Sequence, residues 1–339
     1  MNEQQLAAVK AKGEVFVSAG AGTGKTRVLV ERFVRAVRDD GLDVQSVLVI
    51  TYTRKAAAEL RSRIREELRA CGRFDLAQQL DGAWVSTIHG FCARLLRAHP
   101  FAVGIDPRFR ELDEEQGAVL RGEAFDRALE TFLEPRAPER LQLLATTGSS
   151  RLRRTLVSAY EKLRSAGHPL ELELLPEPDV DAALDAFRDA AQCLIDDRDA
   201  TPSQHAVARG ALDLPADPER LVELKDLQAR GARAASFEES RKALEHAAYL
   251  FVARRERKLL QELLVLFGDE YAAGKERESA LDFEDLQLLA RDLLAHDARV
   301  RETEQLRFRA IMVDEFQDTN ALQCELIDLL AAEIGRAHV

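Results

Sequence analysis

The chain of 339 residues is long enough for one large domain or two ordinary ones, and its 46% hydrophobic residues exclude a disordered chain. No uninterrupted apolar stretch is as long as a membrane span, and the N-terminus lacks a signal-peptide layout, so we expect a cytoplasmic protein. The four cysteines are widely spaced, which argues against disulfides, zinc and iron–sulfur clusters. The net charge of −11 is uneven, because residues 1–100 carry 16 Lys/Arg and 11 Asp/Glu. A nucleic-acid-binding surface would therefore be local.

The first hundred residues alternate strand and helix patterns. Short β-branched runs at 14–20, 46–51 and 84–87 predict buried parallel strands, and apolar spacing predicts helices over 25–37 and 56–68. This alternation is typical of a doubly wound parallel sheet, which binds ligands at the carboxyl ends of its strands.

The pattern changes to helix alone from about residue 99 to about residue 309. Helix-period runs include 181–195 and 243–267, and turn-forming residues interrupt the pattern at 134–139, 146–150, 175–179 and 213–219. Residues 308–316 then regain strand character, and 321–332 read as a helix. We therefore predict an α/β fold in which a large all-helical subdomain, residues 99–308, is inserted between residues 1–98 and 309–333 of one sheet domain.

Segment 19–26, AGAGTGKT, lies between a predicted strand and a predicted helix, as a phosphate-binding loop does. Its glycines let backbone N–H groups face phosphate oxygens, and the helix N-terminus adds its positive dipole. Lys25 would meet the β and γ phosphates, and the Thr26 hydroxyl would ligate Mg²⁺. The predicted ATP-binding loop comprises Ala19, Gly20, Ala21, Gly22, Thr23, Gly24, Lys25 and Thr26.

Residues 311–318, IMVDEFQD, predict the second half of a nucleotide site, since four apolar strand residues run into two carboxylates. Asp314 would hold Mg²⁺, and Glu315 would polarise the attacking water. We assign catalytic roles to Lys25, Asp314 and Glu315, and metal ligation to Thr26 and Asp314.

These segments and their order resemble the UvrD/RecB class of superfamily I DNA helicases, and most closely its AddA and RecB branch. The similar segments are 2–9, 19–32, 51–64, 86–97, 271–286 and 313–323. The resemblance implies a RecA-like fold, ATP and Mg²⁺ as cofactors, and 3′-to-5′ movement on single-stranded or duplex-end DNA in repair or recombination. It also implies that the partner is a second helicase–nuclease subunit. By the same resemblance, Gln5 would recognise adenine and Arg27 would pack against the base.

The predicted DNA contacts follow the second and third strands, where hydroxyls and charges can meet phosphates and aromatic rings can stack on bases. They are Thr51, Tyr52, Thr53 and Lys55 after one strand, and Thr87, His89 and Phe91 after the other. In the later segment LDFEDL, residues 281–286, Phe283 and Leu286 are predicted to be core and Asp282 a helix cap.

The resemblance further implies that a γ-phosphate sensor and a second RecA-like domain lie beyond Val339, so we expect this chain alone to hydrolyse ATP poorly. The last six residues, 334–339, can be back-translated into the start of a common sequencing adapter, and we hypothesise that they are a non-native tail.

Two other interpretations of the sequence stay open. One is a catalytically silent DNA-binding scaffold, against which the intact Lys25 and Glu315 speak. The other is a P-loop ATPase unrelated to DNA, against which the threonine-rich strand ends and Gln5 speak.

Overall fold

Three parallel strands form the main sheet of this computed structural model, which describes residues 1–18, 20 and 23–331. The strands in chain order are β1 (Val47–Thr51), β2 (Trp84–Thr87), β3 (Arg110–Glu111), β4 (Ala280–Leu281) and β5 (Ala310–Val313). The main sheet has the order β2–β1–β5, and the short β3 and β4 pair with each other, also in parallel. The strands predicted at 46–51, 84–87 and 308–316 are thereby confirmed.

The strand predicted at 14–20 is wrong for the part of it that the structure describes. Residues 14–18 and Gly20 lie outside both sheets. Val17 packs against the core, whereas Phe16 is 67% exposed. Apolar side chains in 14–18 therefore lie partly against the core and partly in solvent, and no described strand pairs with this segment. Other predicted residues, Ala19, Ala21, Gly22 and 332–339, are not among the described residues.

Helices cover both faces of the main sheet, because successive β1 side chains point to opposite sides and all are buried. Val49 packs with Phe33 and Leu60 on one face, and Ile50 packs with residues such as Leu286 on the other. The helices of this unit include α1 (Glu3–Lys10), α2 (Lys25–Arg38), α3 (Arg54–Ala70), α4 (Phe74–Gln79), α5 (Ile88–Ala98) and α6 (Pro100–Val103). The helices predicted over 25–37 and 56–68 are confirmed.

The remaining helices continue to the end of the described chain. They are α7 (Glu114–Leu133), α8 (Pro138–Thr147), α9 (Ser149–Ser165), α10 (Val180–Asp196), α11 (Pro202–Leu212), α12 (Pro218–Leu221), α13 (Ala235–Arg277), α14 (Phe283–His296), α15 (Ala298–Arg307) and α16 (Ala321–Leu330). The runs predicted at 181–195 and 321–332 match α10 and α16. The run at 243–267 is the middle of the 43-residue α13.

Residue contacts divide the chain into two compact units. The first contains the described residues within Met1–Glu123, Glu161–Pro169 and Tyr271–Val339, and the second contains Ala124–Tyr160 and Leu170–Glu270. The second unit has its own core, in which the rings of Phe187 and Phe237 lie 4.8 Å apart. The predicted insertion, 99–308, therefore also spans residues of the first unit. Within the described residues, no helix has the length and apolar composition of a bilayer span.

A buried ion cluster fixes the start of α14 in the first unit. The Asp282 carboxylate caps this helix by accepting from the Asp285 N–H, and the Asp285 carboxylate accepts from the Asp282 N–H in return, as in a capping box. Lys275 Nζ lies 2.8 Å from Asp282 Oδ2 and also contacts Asp285 Oδ2, while Arg164 donates to Asp285 Oδ1 at 2.8 Å. Burial acts to raise the pKa of the Asp282 carboxyl, but the attraction of the Lys275 ammonium is the larger effect in sum with the hydrogen bonds, so the pKa is lowered.

Lys275→Met should unfold the first unit more easily, because it leaves two buried carboxylates without their shared cation. Removing one partner of a buried ion pair costs about 3–5 kcal/mol of unfolding free energy. Urea unfolding followed by fluorescence of Trp84, the single tryptophan, measures this loss. Arg63→Ala, which removes an exposed ion pair with Glu59, is the control and should cost less than about 1 kcal/mol. Equal losses in the two variants would contradict the structural role of the cluster.

Candidate functional site

The carboxyl end of β1 leads into an exposed aromatic ring and a helix cap. Tyr52 follows the strand and is 69% exposed. Thr51 is buried, and its Oγ1 donates to the Thr53 carbonyl at 3.1 Å. Thr53 Oγ1 accepts a hydrogen bond from the Ala56 N–H at 3.0 Å and so caps α3. The two threonine hydroxyls thus have partners within the chain, whereas the Tyr52 and Lys55 side chains face solvent.

The carboxyl end of β2 also runs directly into a capped helix. Thr87 Oγ1 accepts a hydrogen bond from the Gly90 N–H at 3.2 Å at the start of α5. Phe91 is fully buried, and its ring lies 5.7 Å from that of Trp84 and 6.0 Å from that of Phe308. The prediction that Phe91 stacks on a DNA base is therefore wrong, because the first turn of α5 directs this ring into the core.

The carboxyl end of β5 carries the two predicted acidic residues. The Asp314 N–H donates to the Ile50 carbonyl at 2.8 Å and continues the pairing of β5 with β1. Burial of the Asp314 carboxyl, followed by the nearby charge of Glu315, raises its pKa. A cation beside Asp314 would favour its charged form and offset this penalty.

Glu315 adopts the left-handed backbone conformation, with φ 53° and ψ 45°, which is uncommon for a residue with a side chain. Its Oε2 lies 2.9 Å from Lys25 Nζ, and Gln317 donates to the same oxygen. The hydrogen bonds from Gln317 and Lys25 lower the pKa of Glu315, and the bond to Glu315 raises the pKa of Lys25. Such backbone strain clusters at functional sites.

The N-terminus of α2 is held by α1. Gly24 precedes α2 with φ +86°, and a Cβ at this position would lie 3.0 Å from Gln5 Nε2. Gln5 Nε2 donates to the Thr23 carbonyl at 2.9 Å. Arg32 of α2 donates to two carbonyls at the end of α1, one of them Ala11 O at 3.2 Å. Gln5 thereby contacts the loop that precedes Lys25.

Residues 1–337 of the chain match the family model described as the UvrD/REP helicase N-terminal domain. The chain belongs to the UvrD/REP helicase family. Similar proteins, named as subunits of an ATP-dependent helicase/nuclease, occur in Bacillus licheniformis, 25% identical over 98% of this chain and 34% of the relative, and in Syntrophomonas wolfei, 26% identical over 98% and 32%. A relative of the same name in Pelotomaculum thermopropionicum is 42% identical over 38% of this chain and 11% of its own length. The chain thus spans about a third of the relatives that it matches throughout.

In this UvrD/REP family chain, a cleft of about 420 Å³ lies at the carboxyl ends of the three main strands. Thr51, Tyr52, Thr87 and His89, all predicted DNA contacts, line it. Asp314 and Glu315, predicted for the nucleotide, line it as well. The fold therefore brings residues more than 200 positions apart into a single cleft.

The other predicted residues lie around the N-termini of two helices of the UvrD/REP domain. Gly20, Thr23, Gly24, Lys25, Thr26 and Arg27 precede or begin α2, and Thr53 and Lys55 stand at the start of α3. Lys25 connects to the cleft through its ion pair with Glu315.

Arg54 and Phe283 are among the cleft residues that were not predicted as site residues from the sequence. Arg54 lines the cleft, and its Nη2 lies 3.2 Å from Glu111 Oε2. The positive charge of Arg54 within the segment TYTRKAA could have identified it as a candidate DNA contact. Phe283 also lines the cleft, although its apolar character favoured a core position.

His89 is held from one side by α14. Its ring centroid lies 4.7 Å from that of Phe283, and its Nε2 lies 3.0 Å from Gln287 Nε2. Burial of the ring, followed by the charge of Arg54, lowers the pKa of His89 against the smaller opposing effect of Glu111. His89 is therefore a neutral imidazole at neutral pH.

His89→Gln should reduce the acid sensitivity of the first unit. The unfolded chain takes up a proton at the ordinary histidine pKa of 6.5, while the folded chain does so only at lower pH. The unfolding free energy should therefore fall as the pH drops below this value, until folded His89 is itself protonated. Urea unfolding at several pH values between about 8 and 5, followed by Trp84 fluorescence, should give a shallower decline in the variant. Identical declines would contradict the buried neutral ring.

Proposed function

We propose that this chain is the N-terminal, ATP-binding part of an ATP-dependent DNA helicase motor that moves 3′ to 5′ on single-stranded DNA. The proposal includes a RecA-like sheet domain with the helical segment 99–308 inserted between 1–98 and 309–333. Membership of the UvrD/REP family supports it, as do relatives named as subunits of an ATP-dependent helicase/nuclease. The direction and the role in repair or recombination rest on the resemblance of the motifs.

The observation that carries the proposal is the ion pair between Lys25 and Glu315, with Nζ and Oε2 2.9 Å apart and both side chains partly exposed. It joins the end of the predicted phosphate-binding loop to the acidic end of β5. A triphosphate bound between them would replace Glu315 as the ion-pair partner of Lys25, because its oxygens carry more charge than one carboxylate. Glu315 would then be released to polarise the attacking water.

The donor atoms available suit a Mg²⁺ ion that accompanies ATP. Mg²⁺ prefers oxygen ligands and is commonly bound by one or two carboxylates together with substrate phosphates. The Asp314 carboxylate and the Thr26 hydroxyl would supply the protein ligands. Among the residues that the structure describes, no cluster of three or more His, Cys, Asp or Glu forms an all-protein metal cage. That agrees with an ion held in part by the nucleotide.

Other residues in and beside the cleft suit single-stranded DNA. Tyr52 offers an exposed ring on which a base can stack, and Arg54 and Lys55 offer exposed charges to phosphates. His89 adds a polar ring beside them. Gln5 and Arg27 remain the proposed contacts of the adenine base. We further propose that the partner is a second helicase–nuclease subunit, since the relatives are themselves named as subunits.

Lys25→Met should weaken the binding of a fluorescent ATP analogue about ten- to a hundredfold, the range expected for loss of charge-assisted hydrogen bonds. Fluorescence titration of the purified chain with the analogue and Mg²⁺ measures this change. Lys12→Met, at an exposed position before the predicted loop, is the matched control and should bind as the unaltered chain does. Equal affinity of the two variants would exclude Lys25 from the nucleotide site.

Tyr52→Ala should weaken the binding of a labelled oligo(dT) strand by about 1–3 kcal/mol, the contribution of one stacked base, without changing the salt dependence of binding. Fluorescence anisotropy at several salt concentrations measures both quantities. Phe74→Ala is the control, because Phe74 is comparably exposed at 62% but does not line the cleft. Lys55→Ala should instead flatten the salt dependence, since one phosphate contact fewer releases fewer counterions. Affinity lost equally in the Tyr52 and Phe74 variants would remove Tyr52 from the DNA site.

A further inference from the structure

The side-chain amide of Gln287 contacts the imidazole of His89 from inside the first unit. Gln287 is 4% exposed, and its Nε2 lies 3.0 Å from His89 Nε2 and 3.3 Å from the Phe283 carbonyl oxygen. Its Oε1 is buried and has no hydrogen-bond partner among the described residues. A buried polar atom without a partner is costly, so this amide calls for a reason beyond packing.

The Phe283 carbonyl determines which way round the amide lies. With its Nε2 toward this carbonyl, Gln287 donates a hydrogen bond, whereas the flipped amide would set two acceptor oxygens against each other. The same Nε2 then presents its second hydrogen to His89 Nε2. Because a donor faces it, His89 Nε2 must act as an acceptor, and the single proton of the neutral ring must be on Nδ1.

We propose that Gln287 is a positioning residue that holds His89 in the Nδ1–H tautomer, so that the ring offers one neutral donor to an oxygen of single-stranded DNA in the cleft. The identity of the ligand rests on the proposed function above. The tautomer itself follows from contacts within the chain.

The surroundings of the ring support a neutral donor. The charged groups that act on His89 are Arg54 from α3 and Glu111 from β3, and burial combines with Arg54 to lower the pKa of the imidazole. The carboxylates of Asp314, Glu315 and Asp318 line the same cleft. From α14, the side facing the ring is uncharged and consists of Phe283 and Gln287. Protonation of Nε2 would set N–H against N–H, so Gln287 opposes it directly.

The position of the amide is itself fixed by the buried ion cluster. Gln287 lies one helical turn after Phe283, whose preceding residue is the cap Asp282. Lys275 holds Asp282 through a 2.8 Å contact, so the start of α14 has little freedom to shift. The segment 281–286, which was predicted to be only core and cap, thus has the further role of placing Phe283 and Gln287 against His89.

Replacing the donor by an acceptor tests the tautomer directly. Gln287→Glu keeps the size of the side chain but faces His89 Nε2 with a carboxylate, which favours a proton on Nε2 and raises the pKa of the ring. Gln287→Met removes the donor without adding a charge. Long-range ¹H–¹⁵N NMR of the histidine-labelled 339-residue chain reports which nitrogen carries the proton, and a pH titration reports the pKa. Gln305→Met, which loses an amide that donates to the Leu329 carbonyl, is the matched control.

We expect the unaltered chain and Gln305→Met to carry the proton on Nδ1, and Gln287→Glu to carry it on Nε2. In Gln287→Met the Nδ1–H tautomer of His89 should no longer predominate over the Nε2–H tautomer. Trp84 fluorescence verifies that each variant is folded, and Gln287→Met decides the matter if Gln287→Glu does not fold. A proton on Nε2 in the unaltered chain, or an unchanged tautomer in every folded Gln287 variant, would overturn the proposal.

Oligo(dT) binding tests the consequence for the ligand. At a pH above the His89 pKa found in the titration, where the ring carries one proton, Gln287→Glu should weaken binding about tenfold, the effect of one lost hydrogen bond to a charged group, while Gln305→Met should not. A shifted tautomer with unchanged affinity would overturn the role of His89 as a donor to DNA. If the unaltered chain itself fails to bind the strand, the proposed function fails instead, and the NMR result stands apart from it.

Discussion

The arrangement of the cleft depends on the hydrogen bonds that β1 makes with both of its neighbours. Thr51 is paired with Thr87 on one side, and Ile50 with Val313 on the other. Because all three strands run in the same direction, their carboxyl ends must meet at one edge of the sheet. The pairing continues one residue beyond β5, where Asp314 N–H bonds to the Ile50 carbonyl. Residues separated by most of the chain thereby face a single cleft.

Two groups of charged side chains in the first unit differ in how far they are buried. Lys275, Asp282 and Asp285 are almost fully buried, so their charges stabilise one arrangement and strongly resist the loss of a partner. Lys25 and Glu315 are partly exposed, so water screens their attraction and a stronger ligand can replace it. Burial thus separates charges that hold the α14 terminus in place from charges that remain available for binding.

Patterns carried by consecutive residues predicted the three strands of the main sheet and the helices α2 and α3. The run VLVIT in β1 is buried along its whole length, as expected of a strand with helices on both faces. The segment around Val17 has similar composition but no strand partner among the described residues, and hydrogen bonds to a partner are what define a strand. The prediction that Phe91 stacks on a DNA base was wrong for another reason. An aromatic residue at the start of a helix can face a ligand or the core, and packing against Trp84 selects the core.

The sequence by itself determined the order of the elements, the family, and the identity of Lys25, Tyr52 and Glu315 as candidates, because these follow from local spacing and from motifs in fixed order. Tertiary structure decided which side chains meet. The contact of Gln287 with His89 joins residues 198 positions apart, and no local pattern marks it. Long-range pairing is set by how helices pack on a common sheet, and the hydrogen-bonding state of a buried side chain is set by whichever neighbour that packing supplies.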